Sequence, residues 1–330
     1  MSMLFIPWLY VPFPEEINEN AEAVEERTLE WAFKFKFIKG NQHYHHFRAA
    51  KYGQLVDRAC PKATIENSVI LSDLMTFFFL LDDQFDDQHN QAKVGSNPDK
   101  LRVVFSQLLD VMKQPSLYAT DANPSLAGLS DIWQRIYQRA SSDLVERLLN
   151  DFQDYFETNI WQAENRARNI IPNLDTYIKT RRITCGFPWC LTLGEIVQEI
   201  NLPSEVHEYD EVQTLFRLAD HVCGWLNDIV SLEVELKCGE IHNLVLVLQQ
   251  EYQLTLQEAV NRAAEMWTAE LQAFMTLEQQ LPSFGTAVDI ELGRYIASMR
   301  YWMRATEHWQ YQSERYRTIV PTKSLQPVSA

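Results

Sequence analysis

An all-α fold is what this 330-residue chain predicts, and three observations carry that expectation. Apolar residues recur at helical spacing nearly throughout, as at Ala23, Leu29, Trp31, Ala32, Phe35 and Phe37 among Glu and Lys. Glycine is scarce, 10 in 330, and few β-branched runs sit between turn signals, which disfavours a β-sandwich or a Gly-looped nucleotide fold. Hydrophobic residues make up 46% of the chain, enough for a large core and too many for a disordered one.

The elements follow in chain order. Residues 20–38 read as an amphipathic helix, and a Glu-Asn-Ser start leads into the strongly apolar segment 64–81. Residues 88–100 are polar with turn chemistry and read as a loop. A helix over 101–113 precedes a connection over 114–130, marked by Pro115, Asn123-Pro124 and Gly128. One long helix is expected over 131–168, with further helices over about 173–198, 205–238, 255–280 and 286–317. No low-complexity linker or internal repeat divides the chain. Residues 1–330 are therefore expected to form one domain of about ten helices, with a flexible tail over about 317–330.

Composition bounds the function. With 29 Lys and Arg against 45 Asp and Glu, the net charge of −16 argues against nucleic acid and against an anionic membrane surface as partner. The apolar N-terminus lacks a basic region and carries Pro7, Pro12 and Pro14, which makes a poor signal peptide. The longest apolar run, Leu74 to Leu81, is far too short to span a bilayer. Five cysteines without a C-x-x-C pair read as reduced thiols, several of them in the core. A cytoplasmic protein without membrane insertion is expected.

Two segments carry chemistry. In Phe77-Phe78-Phe79-Leu80-Leu81-Asp82-Asp83-Gln84-Phe85-Asp86-Asp87, four carboxylates follow a segment too apolar to face water. Asp82 and Asp86, and beside them Asp83 and Asp87, are i, i+4 neighbours that repel, at what reads as the negative end of a helix dipole. A divalent cation removes both penalties; the alternative is a solvated acidic helix end. In Asn227-Asp228-Ile229-Val230-Ser231-Leu232-Glu233-Val234-Glu235, the residues Asn227, Ser231 and Glu235 are spaced i, i+4, i+8 and point one way. They offer an amide oxygen, a hydroxyl and a carboxylate, hard oxygen ligands that suit Mg²⁺. The apolar turn before them (Ala219, Val222, Cys223, Trp225, Leu226) sets this polar stripe into a core helix, where polar groups need partners.

An aromatic-flanked DDxxD followed 141 residues later by NDxxSxxxE resembles the class I terpene synthases, the microbial terpene cyclases. The resemblance covers nearly the whole chain, from Pro12-Phe13 to Arg315-Tyr316, and implies a single-domain helical bundle around a central active-site cavity. It implies three Mg²⁺ ions (with Mn²⁺ as a possible substitute) held by Asp82, Asp83, Asp86, Asn227, Ser231 and Glu235, with Asp87 leaving a DDxxxD reading open. It implies a diphosphate-sensing Arg181, 46 residues ahead of Asn227, then a helix break at Gly186 and Pro188 with Thr184 as linker and Cys185 or Gly186 as effector. Arg315 and Tyr316, 80 residues beyond Glu235, match a C-terminal RY pair that binds diphosphate. The chain departs from the pattern at Val234 and Cys238, where relatives often carry basic residues, and Lys237 is the adjacent substitute.

The implied activity is that of a lyase: Mg²⁺-dependent ionisation and cyclisation of a linear prenyl diphosphate, with release of diphosphate. Farnesyl diphosphate and a sesquiterpene hydrocarbon or alcohol are expected, with geranylgeranyl diphosphate and a diterpene as the alternative. The carbocation would need walls that attract it without attacking it, which aromatic faces supply. Phe78, Phe79 and Trp309 are the first wall candidates, then Trp225 and Trp302. His242 reads as a surface histidine without a role. A prenyl transferase would want a second DDxxD and a protonation-initiated cyclase a DxDD, and neither is present. A non-catalytic helical binding protein and a homodimer remain open readings.

Overall fold

The computed structural model describes residues 4–38, 40–86 and 97–313, excepting the side chains of 41–43, 46, 49 and 82–86. Asp87, Arg315, Tyr316 and the tail lie outside the described residues, as do the side chains of Asp82, Asp83 and Asp86. The described elements are all helical: α1 (Ala21–Lys34), α2 (Gly40–Ala50), α3 (Tyr52–Ala59), α4 (Ile65–Asp86), α5 (Pro98–Lys113), a 3-10 turn (Pro115–Tyr118), α6 (Pro124–Tyr137) and α7 (Ser142–Arg168). They continue with α8 (Leu174–Thr184), α9 (Phe187–Gln198), α10 (Ser204–His207), α11 (Asp210–Cys238), α12 (Leu244–Tyr252), α13 (Leu256–Leu277) and α14 (Thr286–Gln312). Among the described residues fourteen helices stand where about ten were expected, because several long segments break at local caps.

Two such breaks correct the sequence-based boundaries. Asn123-Pro124 does not belong to a connection but starts α6: the Asn123 side chain accepts the Ser125 N–H, and Pro124 occupies the first turn, where its missing N–H costs nothing. The expected helix over 131–168 divides into α6 and α7, because Ser141 caps a new start through the Leu144 N–H (3.3 Å). The expected division near Gly186 is present: α8 ends at Thr184, and Gly186 takes φ +77°, a left-handed conformation natural to glycine. Pro188 then falls in the first turn of α9. Asn97 caps α5 through the Lys100 N–H, so the helix starts at Pro98, three residues before the expected 101.

The described chain groups into two compact units. One comprises residues 16–168 and 188–200. Its central helix is α4, which packs against α1, α3 and α6 and is buried nearly all round from Asn67 to Phe78. Phe78 stacks on Phe152 with ring centroids 5.1 Å apart, and Phe152 in turn stacks on Trp189, also at 5.1 Å. Gly128 in α6 lets the Phe37 ring approach; a Cβ there would come within 3.0 Å of it. Several polar groups inside are paired: Thr28 donates to Ser72, and Arg135 meets the buried Asp73 at 2.7 Å. Arg147 on α7 holds Glu195 on α9 at 2.5 Å.

The other unit comprises residues 4–15, 169–187 and 201–313 of the described chain. Its central helix, the 29-residue α11, packs against α8, α12, α13 and α14. An extended N-terminal segment runs along α14: the Leu9 and Val11 N–H groups donate to the Tyr311 hydroxyl and the Glu307 carboxylate, and Trp8 stacks on Tyr311. Cys60, Cys190 and Cys223 are buried thiols, as expected for core cysteines. Among the described residues, no helix is long and apolar enough to cross a membrane.

Asp57 in α3 is 1% exposed, and neither of its carboxylate oxygens has a hydrogen-bond partner among the described residues. Burial, reinforced by the nearby Glu25, pushes its pKa up to about 8. In the unfolded chain the group ionises near 3.8, so between the two values the folded state holds the extra proton and loses stability as pH rises. Asp57→Asn should therefore gain on the parent by about 1–3 kcal/mol between about pH 5 and pH 8.5. Urea midpoints at each pH measure this, and a gap that stays constant with pH would contradict it.

Candidate active site

The chemistry-bearing residues of the second unit gather where α8 meets α11. Arg181 sits in the last turn of α8, and its Nε donates to Asp228 Oδ1 at 2.9 Å. Its Nη2 donates to Asn227 Oδ1 at 2.9 Å and to the Gly224 carbonyl at 3.3 Å. Two residues separated by 46 positions in sequence thus share a hydrogen bond. Asn227, Ser231 and Glu235 run along one face of α11, as their spacing requires. The Ser231 hydroxyl lies 2.6 Å from the Asn227 carbonyl oxygen and 2.5 Å from Glu235 Oε1, so its one proton can serve either.

Asp228 is 1% exposed and surrounded by donors. Beyond Arg181, the Tyr177 hydroxyl and the Leu244 N–H (3.0 Å) both donate to Oδ2. Burial pushes its pKa upward, and the Arg181 charge and the Tyr177 hydrogen bond oppose that rise. Burial also works against the Arg181 charge, but the Asp228 carboxylate together with Tyr177, Cys185 and Glu235 outweighs it, and the guanidinium pKa stands well above its ordinary value. Glu235 is pushed up to about 7 by burial and by its neighbour Asp228, against the lowering effect of Ser231 and Asn243.

The donor set suits a divalent cation. All three groups of the stripe are hard oxygens, and Glu235 carries a burial and like-charge penalty that a cation would relieve.

The helix break beside the site is tied to α11 as well. The Cys185 thiol donates to Asp220 Oδ1 at 2.9 Å, the Arg182 guanidinium lies 3.6 Å from Asp220, and Thr184 lies 3.5 Å from the Arg181 carbonyl. The other expected residues are placed as follows. Lys237 is exposed on the last turn of α11, as is Cys238. Phe78 is buried within the aromatic stack of the first unit, and its neighbour Phe79 is half-buried and stacked on Tyr52 at 4.6 Å. Asp82, Asp83 and Asp86 fall on the last turn of α4. Trp302 and Trp309 are buried on α14. Trp225 stacks on His221 at 4.5 Å, and two residues, about 200° of helix, separate it from Asn227, on the far side of α11.

His242 overturns the surface reading: it is 5% exposed, because its Nδ1 and its backbone N–H both meet Glu240 Oε1 in the turn between α11 and α12. Motif reading missed Tyr177 and Asn243. Asn243 had a signal, since an Asn directly before the apolar run Leu-Val-Leu-Val is a helix N-cap. Tyr177 had none beyond its place one turn before Arg181.

Comparison with known proteins shows the family. The family described as "Terpene synthase family 2, C-terminal metal binding" matches residues 73–273, a span that includes both acidic motifs. The chain belongs to the terpene synthases and is a lyase of that family. It is 30% identical to a germacrene A synthase of Nostoc punctiforme, over 97% of both chains. It is also 30% identical, over 93% of both chains, to a Roseiflexus castenholzii (+)-T-muurolol synthase described as cyclising (2E,6E)-farnesyl diphosphate. The crystal structure of germacradien-4-ol synthase from Streptomyces citricolor shares the fold, with a TM-score of 0.79 over 93% of this chain and 99% of that one, at 22% identity.

Asp228→Asn removes the countercharge of a buried guanidinium. A loss of about 3 kcal/mol in unfolding free energy is expected from urea denaturation, and a loss under about 0.5 kcal/mol would contradict a buried ion pair here.

Proposed function

We propose that this terpene synthase ionises and cyclises farnesyl diphosphate to a sesquiterpene hydrocarbon or alcohol, releasing diphosphate, as a single catalytic domain. The observation that carries the reading is the meeting of Arg181 with the Asn227–Ser231–Glu235 stripe. It places a fixed positive charge against a set of hard oxygen donors. The farnesyl chain length is supported by the relatives, one of which is described as cyclising that substrate across 93% of both chains.

In this reading Asn227, Ser231 and Glu235 would hold Mg²⁺, as would Asp82, Asp83 and Asp86, with three ions in all. When bound, the ions supply charge compensation for the departing diphosphate. Arg181 binds the same anion. It is already charged and oriented by Asp228, so it needs no reorganisation as negative charge develops on the leaving group. Arg315 and Tyr316 add donors to the diphosphate, and Lys237 is the reserve cation on α11. Thr184, Cys185 and Gly186 shape the end of α8, the negative end of its helix dipole, which would favour a developing cation. Aromatic walls would shield the cation from water, with Trp309, Trp302, Phe78 and Phe79 as the candidates. Trp225, on the far side of α11, supports the wall through packing.

The decisive experiment incubates the protein with Mg²⁺ and geranyl, farnesyl or geranylgeranyl diphosphate separately, with gas chromatography of the organic extract. A cyclic C15 product from farnesyl diphosphate is expected. A product from geranylgeranyl diphosphate alone would reassign the substrate, and no product from any of the three would overturn the activity. Full chelation with EDTA should abolish turnover, with recovery on adding Mg²⁺ back. Arg181→Ala and Glu235→Gln should each lower kcat by about 10²-fold or more, the scale of losing one preorganised electrostatic group, while helical circular dichroism persists.

A further inference from the structure

Asn243 has no place in the ligand stripe, yet it is 0% exposed and all of its side-chain polar groups are engaged. Its Oδ1 accepts the Val245 N–H at 2.9 Å and so caps α12. Its Nδ2 carries two hydrogens, and two acceptors receive them: the Asp228 carbonyl at 2.7 Å and Glu235 Oε2 at 2.9 Å. Capping needs only the oxygen. The amide nitrogen is free to do something else, and it reaches both ends of the site at once.

Without such a contact Glu235 would be poorly constrained. It lies in the last turn of α11, four residues before Gly239, which ends the helix at φ +75°. Beyond it the chain turns back, and the Leu244 N–H docks on the Asp228 carboxylate. A glutamate side chain has three rotatable bonds and considerable entropy to lose on ordering. Here both carboxylate oxygens are held, Oε1 by Ser231 and Oε2 by Asn243. Ser231 is itself in the ligand stripe, so its hydroxyl is diverted once a cation binds. Asn243 is the contact that can persist in the loaded site, because its donor occupies the oxygen that Ser231 does not use.

We propose that Asn243 is a positioning residue for the metal–diphosphate site: its amide fixes the Glu235 carboxylate against the Asp228 backbone, so that the metal ligand is oriented before the cation arrives. This rests on the assignment of Glu235 as a metal ligand. Outer hydrogen bonds of this kind orient a ligand and raise affinity without touching the ion. The same amide joins Glu235 to the residue that orients Arg181, so the cation-binding and anion-binding halves of the site share one spacer.

The test separates capping from positioning. Asn243→Ser keeps a short oxygen able to cap α12 and removes the amide donor. The readout is the rise in melting temperature caused by Mg²⁺ with inorganic diphosphate, with no substrate present, titrated in Mg²⁺. Asn243→Ser should fold and should need about tenfold or more Mg²⁺ for the half-maximal shift. At saturating Mg²⁺ its KM for farnesyl diphosphate should stay within about twofold of the parent, as expected when only the metal ligand is disturbed. A parent-like Mg²⁺ midpoint in Asn243→Ser overturns the proposal, provided that Glu235→Gln does lose the shift. If Glu235→Gln keeps the shift, the ligand assignment itself fails, and the two failures are thereby distinguished. Should Asn243→Ser not fold, Asn243→Asp retains size and capping oxygen while replacing the donor by an acceptor, and the same rise in midpoint is required. If neither variant folds, Asn243 is structural and the proposal falls.

Discussion

One buried carboxylate organises the functional half of this molecule. Asp228 lies in a helix whose other buried neighbours are mostly apolar, and removing its charge from water would cost several kcal/mol without compensation. The compensation comes from three groups on two helices. Arg181 and Tyr177 reach it from α8, and the Leu244 N–H reaches it from the start of α12. Each partner is itself buried or nearly so, so none can leave without orphaning another. The result is mutual: α8 and α12 are pinned to α11 by the group that they neutralise. Arg181 reaches the Asn227–Ser231–Glu235 stripe as a consequence, because the guanidinium that satisfies Asp228 also spans to Asn227.

This arrangement answers a difficulty posed by the composition. A chain with 45 acids and 29 bases has little positive potential to offer a diphosphate. The site does not depend on net charge. It uses a guanidinium whose charge is guaranteed by a buried partner, set beside oxygens that suit a cation. Burial is the common lever. It raises Glu235 to about 7, a penalty on the carboxylate that a cation would relieve, and it keeps Asp228 dependent on Arg181. The first unit uses the same lever structurally: Asp73 and Glu195, each raised to about 7 by burial, are held by Arg135 and Arg147.

Much of this was legible in advance, and the legible part has a common physical character. The stripe Asn227, Ser231, Glu235 follows from 3.6 residues per turn alone. The end of α8 follows from Gly186, since left-handed backbone is easy only for glycine. Helical periodicity located most of the long helices. The division between α6 and α7 escaped it because both halves continue one amphipathic pattern and only the Ser141 cap marks the break. The helix α12 escaped because nine mostly apolar residues carry no periodic contrast. His242 was misread because its burial depends on Glu240 folding back beneath it, a contact that no local pattern encodes.

The sequence by itself determined the helical class, the terpene synthase resemblance and the identity of the oxygen donors, because these depend on residue type and on spacing within a single helix. Only the tertiary structure decided what holds those donors in place. Tyr177 meets Asp228 across 51 positions, Arg181 meets Asn227 across 46, and Asn243 folds back to Glu235 across a helix terminus. Such pairings arise from packing and from the need to satisfy buried polar groups, and a buried group's proton affinity is set by neighbours that its own segment does not name.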